Sequence, residues 1–241
     1  MRLYRPALVL AGTLAAVLAA EIGTAAADNS LAATLARMDQ AAAGFKGLSA
    51  DMKKVHYTAV IKEEDTESGT ILVKRPKPKD LRARVEIRQP DPKTAVFEGH
   101  KAQIYYPKTG EIQPVDLGKE SNVVDQFLLL GFGSNSRDLQ SAYSINLGGP
   151  EKVASEDTTR IEMVPKDQDV LAHFKKVEFW ISDAKGIAVQ EKFYEPGGDY
   201  TVLAFTNIQI NPAIPDSAFN LPKGARRTTP RKKPGSDQQP G

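Results

Sequence analysis

The 241-residue chain contains no cysteine. That excludes disulfides, thiolate metal sites and a cysteine nucleophile, and also the lipid-bearing N-terminal cysteine of a bacterial lipoprotein. Histidine is scarce: His56, His100 and His173 stand alone, and none falls in an HExxH or equivalent spacing. Each reads as a surface or sheet residue rather than a ligand. No GxSxG nucleophile elbow occurs. Gly131-Phe132-Gly133-Ser134 resembles a phosphate loop only loosely, since it ends an apolar run instead of opening a helix. Its glycines read as a helix stop. Glu63-Glu64-Asp65 could attract a divalent cation but lacks ligand spacing, and reads as a solvated turn between strands. No metal, no cofactor and no enzymatic activity are expected.

Long apolar runs are missing as well, apart from residues 7–20 near the start. That run is too short for a membrane helix, which needs about 20 apolar residues. It follows Arg2 and Arg5 and precedes the small residues Ala25-Ala26-Ala27, the pattern of a cleaved export signal spanning 1–27. The expectation is a soluble, exported mature protein. The formal net charge is +2. The first 27 residues hold two bases and one acid, and the segment from Lys223 holds six bases and one acid, so the body 28–222 is about −4 by the same count. A mildly acidic body argues against nucleic-acid binding. The basic, Pro/Gly-rich segment 223–241 reads as a disordered tail, with weak attraction to an anionic membrane surface as its functional reading.

What is present is a period-2 pattern. A helix opens the body, with Ser30 or Asn29 as cap and Leu31, Leu35, Met38, Ala42 and Phe45 on one stripe; "NSLAATLARMDQAAAGFKGLSADM" carries it. Strand-like runs then recur at roughly ten-residue spacing, from "SGTILVKR" and "LRARVEIR" to "KTAVFEGH", "AQIYYP" and "GEIQPVDL". Between Arg82, Arg84, Glu86 and Arg88 stand Leu81, Ala83, Val85 and Ile87, so this basic stretch reads as a strand with one dry and one wet face. A helical insert interrupts at 122–131 and a second helical turn follows at 138–143. Strands resume with "AYSINLGG", "TTRIEMVPK", "FKKVEFWIS", "IAVQEKFYE" and "DYTVLAFTNIQIN", punctuated by turns at 182–186 and 195–199. Both faces of the last strand are partly apolar, which places part of it mid-sheet. With no helical crossovers the sheet is antiparallel. A large sheet with a few amphipathic helices laid on it leaves room for an apolar hollow between the layers.

Four segments, in order, resemble the periplasmic outer-membrane lipoprotein carrier family (LolA). They are "SGTILVKRP", "VFEGHKAQIYYPKTGEIQPV", "NVVDQFLLLGFG" and "FTNIQINPAIPDSAFNLPKGA", and the resemblance runs from Leu31 to Gly224. It implies a mainly β fold with α: an unclosed antiparallel half-barrel, one domain over 28–222, with a helical lid over an apolar cavity. It implies acylated lipoproteins as cargo, an inner-membrane lipoprotein-releasing transporter as donor, an outer-membrane receptor as acceptor, and a monomer. Arg75 aligns with the family arginine that bonds to lid backbone and holds the empty carrier closed. The candidate lid helices are 31–45, with Leu31, Leu35 and Met38, and 122–131. The candidate cavity residues are Leu72, Leu81, Val85, Phe97, Ile104, Phe127, Leu128, Leu130 and Phe179. Where family members often carry Phe and Trp after Arg-Pro, this chain has the smaller "LRARVEI", and Trp180 is its one tryptophan. That departure implies a cavity of different shape. It keeps a carrier of another lipid, a phospholipid or glycolipid, as the alternative. Sensors of related fold are a further alternative, but they carry a second domain for which this chain has no room.

Overall fold

The computed structural model describes residues 28–77, 80–99, 101–116 and 131–229. The export segment 1–27, the greater part of the 122–131 helix with Phe127, Leu128 and Leu130, and the tail from residue 230 lie outside the described residues.

Helix α1 (Leu31–Ala43) starts where the sequence puts a cap: the Ala33 amide donates to Ser30 Oγ at 3.2 Å. It ends sooner than its stripe suggests. Gly44 caps it, and "GLSADM" is already strand, because Gly47 passes so close to β2 that a Cβ there would sit 2.6 Å from the Val73 carbonyl oxygen. Among the described residues twelve strands form one sheet. They are β1 (Gly47–Thr58), β2 (Glu63–Lys77), β3 (Asp80–Gln89), β4 (Lys93–Glu98), β5 (Lys101–Tyr106), β6 (Glu111–Asp116), β7 (Tyr143–Val153), β8 (Glu156–Pro165), β9 (Lys176–Ser182), β10 (Ala188–Tyr194), β11 (Tyr200–Ile210) and β12 (Arg226–Arg227). Their spatial order is β12-β6-β5-β4-β3-β2-β1-β11-β10-β9-β8-β7. Two meanders are thus joined where β1 pairs with β11, and the sheet does not close, since β7 and β12 lie at opposite edges. The mid-sheet place of β11 explains why its first half is apolar on both faces. Short helices α2 (Ser136–Ala142) and α3 (Gln168–Leu171) complete the described elements, with a 3₁₀ turn at Asp216–Phe219.

Three local expectations need correction. Glu63-Glu64-Asp65 opens β2 rather than forming a loop, paired with Thr58, Tyr57 and His56. The basic tail begins ordered: Arg226 and Arg227 run parallel to β6, opposite Glu111 and Ile112, and Arg226 pairs with the Glu111 carboxylate. The wet face of β3 is also a clamp. Arg84 donates from Nη1 to the carbonyls of Ala218 and Asn220 at 3.1 and 3.3 Å, and Lys74 Nζ binds Asp216 at 2.6 Å, so the C-terminal segment is held to the outer face.

The dry face carries two adjoining clusters. One, under α1, holds Leu35, Met38, Leu139, Ile161, Met163, Val177, Phe179, Ile181 and Phe193. The other lies on β1–β3 and β11 and includes Leu48, Met52, Ile71, Val73, Leu81, Ala83, Ile87, Phe132 and Phe205. Leu203 touches both.

Asn211 ties the end of β11 to the α1–β1 turn. Its Oδ1 accepts from the amides of Lys46 and Gly47 at 2.7 and 3.2 Å, and its Nδ2 donates to the Gly44 carbonyl at 2.8 Å. Its backbone is left-handed, φ 55°, a conformation asparagine tolerates better than most residues. Asn211→Ala loses three hydrogen bonds and adds backbone strain, an expected cost of about 3 kcal/mol in urea unfolding. A loss below about 0.5 kcal/mol contradicts this role, being no more than an ordinary surface substitution costs.

Candidate functional site: an apolar pocket beside a latched helix

An apolar pocket of about 260 Å³ lies on the dry face, lined by Ile71 of β2, Phe132, Phe174, Glu191 and Phe193 of β10, Glu195, and Thr201, Leu203 and Phe205 of β11. Alternation builds it. Thr201, Leu203 and Phe205 are every second residue of β11; Glu191 and Phe193 are every second residue of β10 and stand opposite Leu203 and Thr201. Phe132 closes one wall, its ring edge-on to Phe205 with centroids 4.9 Å apart. Phe174 packs on Phe193 at 5.6 Å. A larger groove of about 750 Å³ lies elsewhere, along Glu151, Lys152, Glu156, Asp157 and Asp183. Its charged lining suits no acyl chain.

Helix α1 is latched over the sheet at three points. Arg37 Nη2 binds Asp183 Oδ1 at 2.9 Å, in the turn after β9. The same turn approaches the helix so closely that a Cβ on Gly186 would lie 2.3 Å from the Arg37 carbonyl. Asp39 accepts from both the amide and the hydroxyl of Ser136, each at 2.6 Å, which ties α1 to the start of α2. The third latch is Arg75. The last turn of α1 contains no basic residue of its own to complement the partial negative charge of its exposed carbonyls. Arg75, reaching from β2, supplies one: its Nη2 donates to the carbonyls of Ala42 and Phe45, each at 3.3 Å, and its Nη1 to that of Gly133 at 3.1 Å. Its guanidinium also lies 5.3 Å from the Phe45 ring centroid. Among the described residues Arg75 makes no ion pair, and partial burial pulls its pKa below the ordinary value. One side chain thus holds the helix end and the 131–133 segment together.

The sequence-derived cavity candidates land in other places. Leu72 sits opposite Arg84, on the outer face; its neighbours Ile71 and Val73 face inward. A one-residue error in parity moves a side chain through the sheet. Phe179 is fully buried in the cluster beneath α1 and belongs to filled core. Leu81 is likewise buried core. Val85, Phe97 and Ile104 face inward, half-buried, on β3, β4 and β5, outside the lining; Val85 and Phe97 pack against the cluster that holds Ile71, Phe132 and Phe205. Of the lid residues, Leu35 and Met38 are buried against the sheet, and Leu31 packs at the edge of the same cluster. Sequence reasoning missed Ile71, Phe132, Glu191, Phe193, Leu203 and Phe205. For Glu191 a cue existed: it lies two residues before Phe193, so strict alternation puts its carboxylate on the apolar face.

Glu191 is the anomaly of the site. It is 2% exposed, and its Oε1 is buried with no hydrogen-bond partner among the described residues. Burial alone pushes its pKa up from 4.5 to about 8. Gly131 passes so close that a Cβ there would stand 2.1 Å from Glu191 Oε1, while its carbonyl accepts from the Ala188 amide at 2.8 Å.

A family model described as outer membrane lipoprotein carrier protein LolA matches residues 43–222. The chain belongs to this family. Among curated relatives, the outer-membrane lipoprotein carrier protein of Dechloromonas aromatica (strain RCB) is 28% identical over 160 residues, covering 66% of this chain and 69% of that one. The carrier protein of the same description from Ralstonia nicotianae is 32% identical over 96 residues, covering 39% of this chain and 40% of its own length. Among solved structures, an uncharacterized conserved protein from Thermus thermophilus aligns over 81% of this chain and 96% of its own at a TM-score of 0.52 and 13% identity. MucB aligns over 81% of this chain and 64% of its own at a TM-score of 0.50 and 15% identity. At such identities the likeness is one of fold. This LolA-family chain has an open sheet, a latched helix and an apolar pocket.

Proposed function

We propose that this protein is a periplasmic carrier that takes the acyl chains of a lipoprotein into the hollow between α1 and the sheet, crosses the periplasm and releases them at the outer membrane. The observation that carries the reading is the apolar pocket on the dry face, walled by Phe132 of a segment that Arg75 ties to the end of α1. The family and the names of its curated relatives support lipoprotein as the cargo, and the pattern of residues 1–27 supports export. The protein acts by binding and release, with no bond made or broken. Its donor is an inner-membrane lipoprotein-releasing transporter and its acceptor an outer-membrane receptor.

The energetics favour a gated carrier. Each methylene removed from water is worth about 0.8 kcal/mol, so a triacylated cargo does not cross water unshielded. The pocket, about 260 Å³, is below the range of about 300–1,000 Å³ typical of pockets for single drug-sized ligands. Cargo therefore enters only when the latched parts, the 131–133 segment that carries Phe132 and α1 tied to it, move off, and the inward faces of Val85, Phe97 and Ile104 extend the surface then offered. Opening exposes Leu35 and Met38 as well, which penalises the empty open state and favours release. Arg75 is the gate, since it bonds both parts that must separate.

The test is release of a triacylated lipoprotein from spheroplasts. The mature protein is expected to bring the lipoprotein into the supernatant as a one-to-one complex. Release no greater than with buffer alone overturns the reading.

A further inference from the structure

The pocket has a fully buried carboxyl at its wall that neither the fold nor the acyl chains themselves call for. A hydrophobic slot for hydrocarbon alone is better built with leucine at position 191, because a buried carboxyl without a partner costs stability. The β10 strand nevertheless places Glu191 between the pocket and Gly131, with Oε1 unpartnered and no cation beside it among the described residues. The charged and titratable groups on the surrounding elements are engaged elsewhere. Lys54, two strands away on the same face, binds Glu67 at 3.1 Å. His56 Nδ1 is 3.0 Å from Thr201 Oγ1. On α1, Arg37 binds Asp183 and Asp39 binds Ser136. Glu195, at the far end of the lining, adds a second carboxyl rather than a counter-charge.

We propose that Glu191 is a recognition group for the head of an acyl chain: as a neutral carboxylic acid, it donates a hydrogen bond to the carbonyl oxygen of an ester or amide seated in the pocket. Burial keeps the proton on the carboxyl through neutral pH. A neutral acid in an apolar wall offers one O–H donor, and the acceptor that an acyl chain brings is the carbonyl that joins it to the rest of the lipid. A purely hydrocarbon ligand leaves the donor unsatisfied, so the site discriminates as polar sites do, against the analogue that lacks the partner. Gly131 is the reason the carboxyl fits, since any side chain there fills the space that Glu191 occupies. This inference deepens the carrier reading and rests on it.

The experiment is displacement of an environment-sensitive naphthalene dye from the full mature protein by four probes: methyl decanoate, N-methyldecanamide, dodecane and decylamine. Ester and amide are expected to displace the dye at concentrations about fivefold lower than dodecane, the worth of one neutral hydrogen bond. That advantage is lost in Glu191→Leu and kept in Glu191→Gln, whose amide still donates. The ester and amide arms show which linkage the site prefers. Equal potency of dodecane and the carbonyl probes on the wild type overturns the proposal and leaves the carrier reading standing. So does an advantage that survives Glu191→Leu. Preference for decylamine, lost in both variants, overturns it in favour of an ionised carboxylate facing an amine. Failure of all four probes to displace the dye overturns both readings. The wild-type comparison needs no variant to fold.

Discussion

Arg75→Leu is expected to unlatch α1. The substitution removes the donors to the carbonyls of Ala42, Phe45 and Gly133 and the cation over Phe45. Hydrogen bonds from a charged donor are each worth about 1.5–3 kcal/mol, but these are long, shared between two nitrogens and partly solvated, so about 3 kcal/mol in all is the reasonable figure. The leucine leaves three carbonyls without that donor, two of them at the end of α1, whose last turn has no base of its own. A loss of about 3 kcal/mol shifts a closed-to-open equilibrium by about two orders of magnitude. Amide exchange in α1 is expected to quicken by that factor in the empty protein, with little change in the core strands β9 and β10, and an environment-sensitive dye is expected to bind more. Arg75→Lys is expected to fall between, because a point charge cannot span three carbonyls. Exchange in α1 unchanged from wild type contradicts the gate.

Glu191→Leu is expected to make the protein more stable at alkaline pH and to flatten its pH profile. In the folded chain the carboxyl's pKa is about 8, against 4.5 ordinarily. Between these values the folded state holds a proton that the unfolded state has lost, so the contribution of Glu191 to stability is greatest below about 4.5 and is lost as pH rises towards 8. The slope is about 1.4 kcal/mol per pH unit, which amounts to about 3 kcal/mol by pH 7. Leucine, of similar size and no charge, removes this loss. Urea midpoints measured from pH 4 to pH 9 are expected to diverge, with the variant ahead and its lead widening as pH rises. Parallel profiles for variant and wild type mean that Glu191 is solvated and ionises in the folded chain as it does in the unfolded one, which contradicts this expectation.

Much of the architecture was legible because alternation is a strong constraint. Leu81, Ala83, Val85 and Ile87 gave both the strand and its inward face, and Ser30 gave the start of α1. The turns at 182–186 and 195–199 fell where glycine takes positive φ, at Gly186 and Gly198. The pocket lining was not legible for a physical reason. Ile71-Leu72-Val73 is an unbroken apolar run with no parity in it, and Leu72 turned out to face the C-terminal clamp. Phe179 reads like a cavity residue along its strand; whether it lines a hollow or fills a core depends on where α1 lies, and that is fixed by Arg37, Asp39 and Arg75 from distant parts of the chain. Arg84 looked like a solvated charge because its partners are carbonyls of Ala218 and Asn220, which no side-chain pattern reveals.

The most direct measurement of the central claim is native mass spectrometry, with lipid extraction, of the mature protein purified from the periplasm in which it is made. The account predicts a co-purified triacylated lipoprotein, bound one to one and absent after detergent washing. A free phospholipid or glycolipid in its place contradicts the lipoprotein cargo while keeping the acyl site, and a protein recovered with no acylated molecule bound under any condition contradicts the account as a whole.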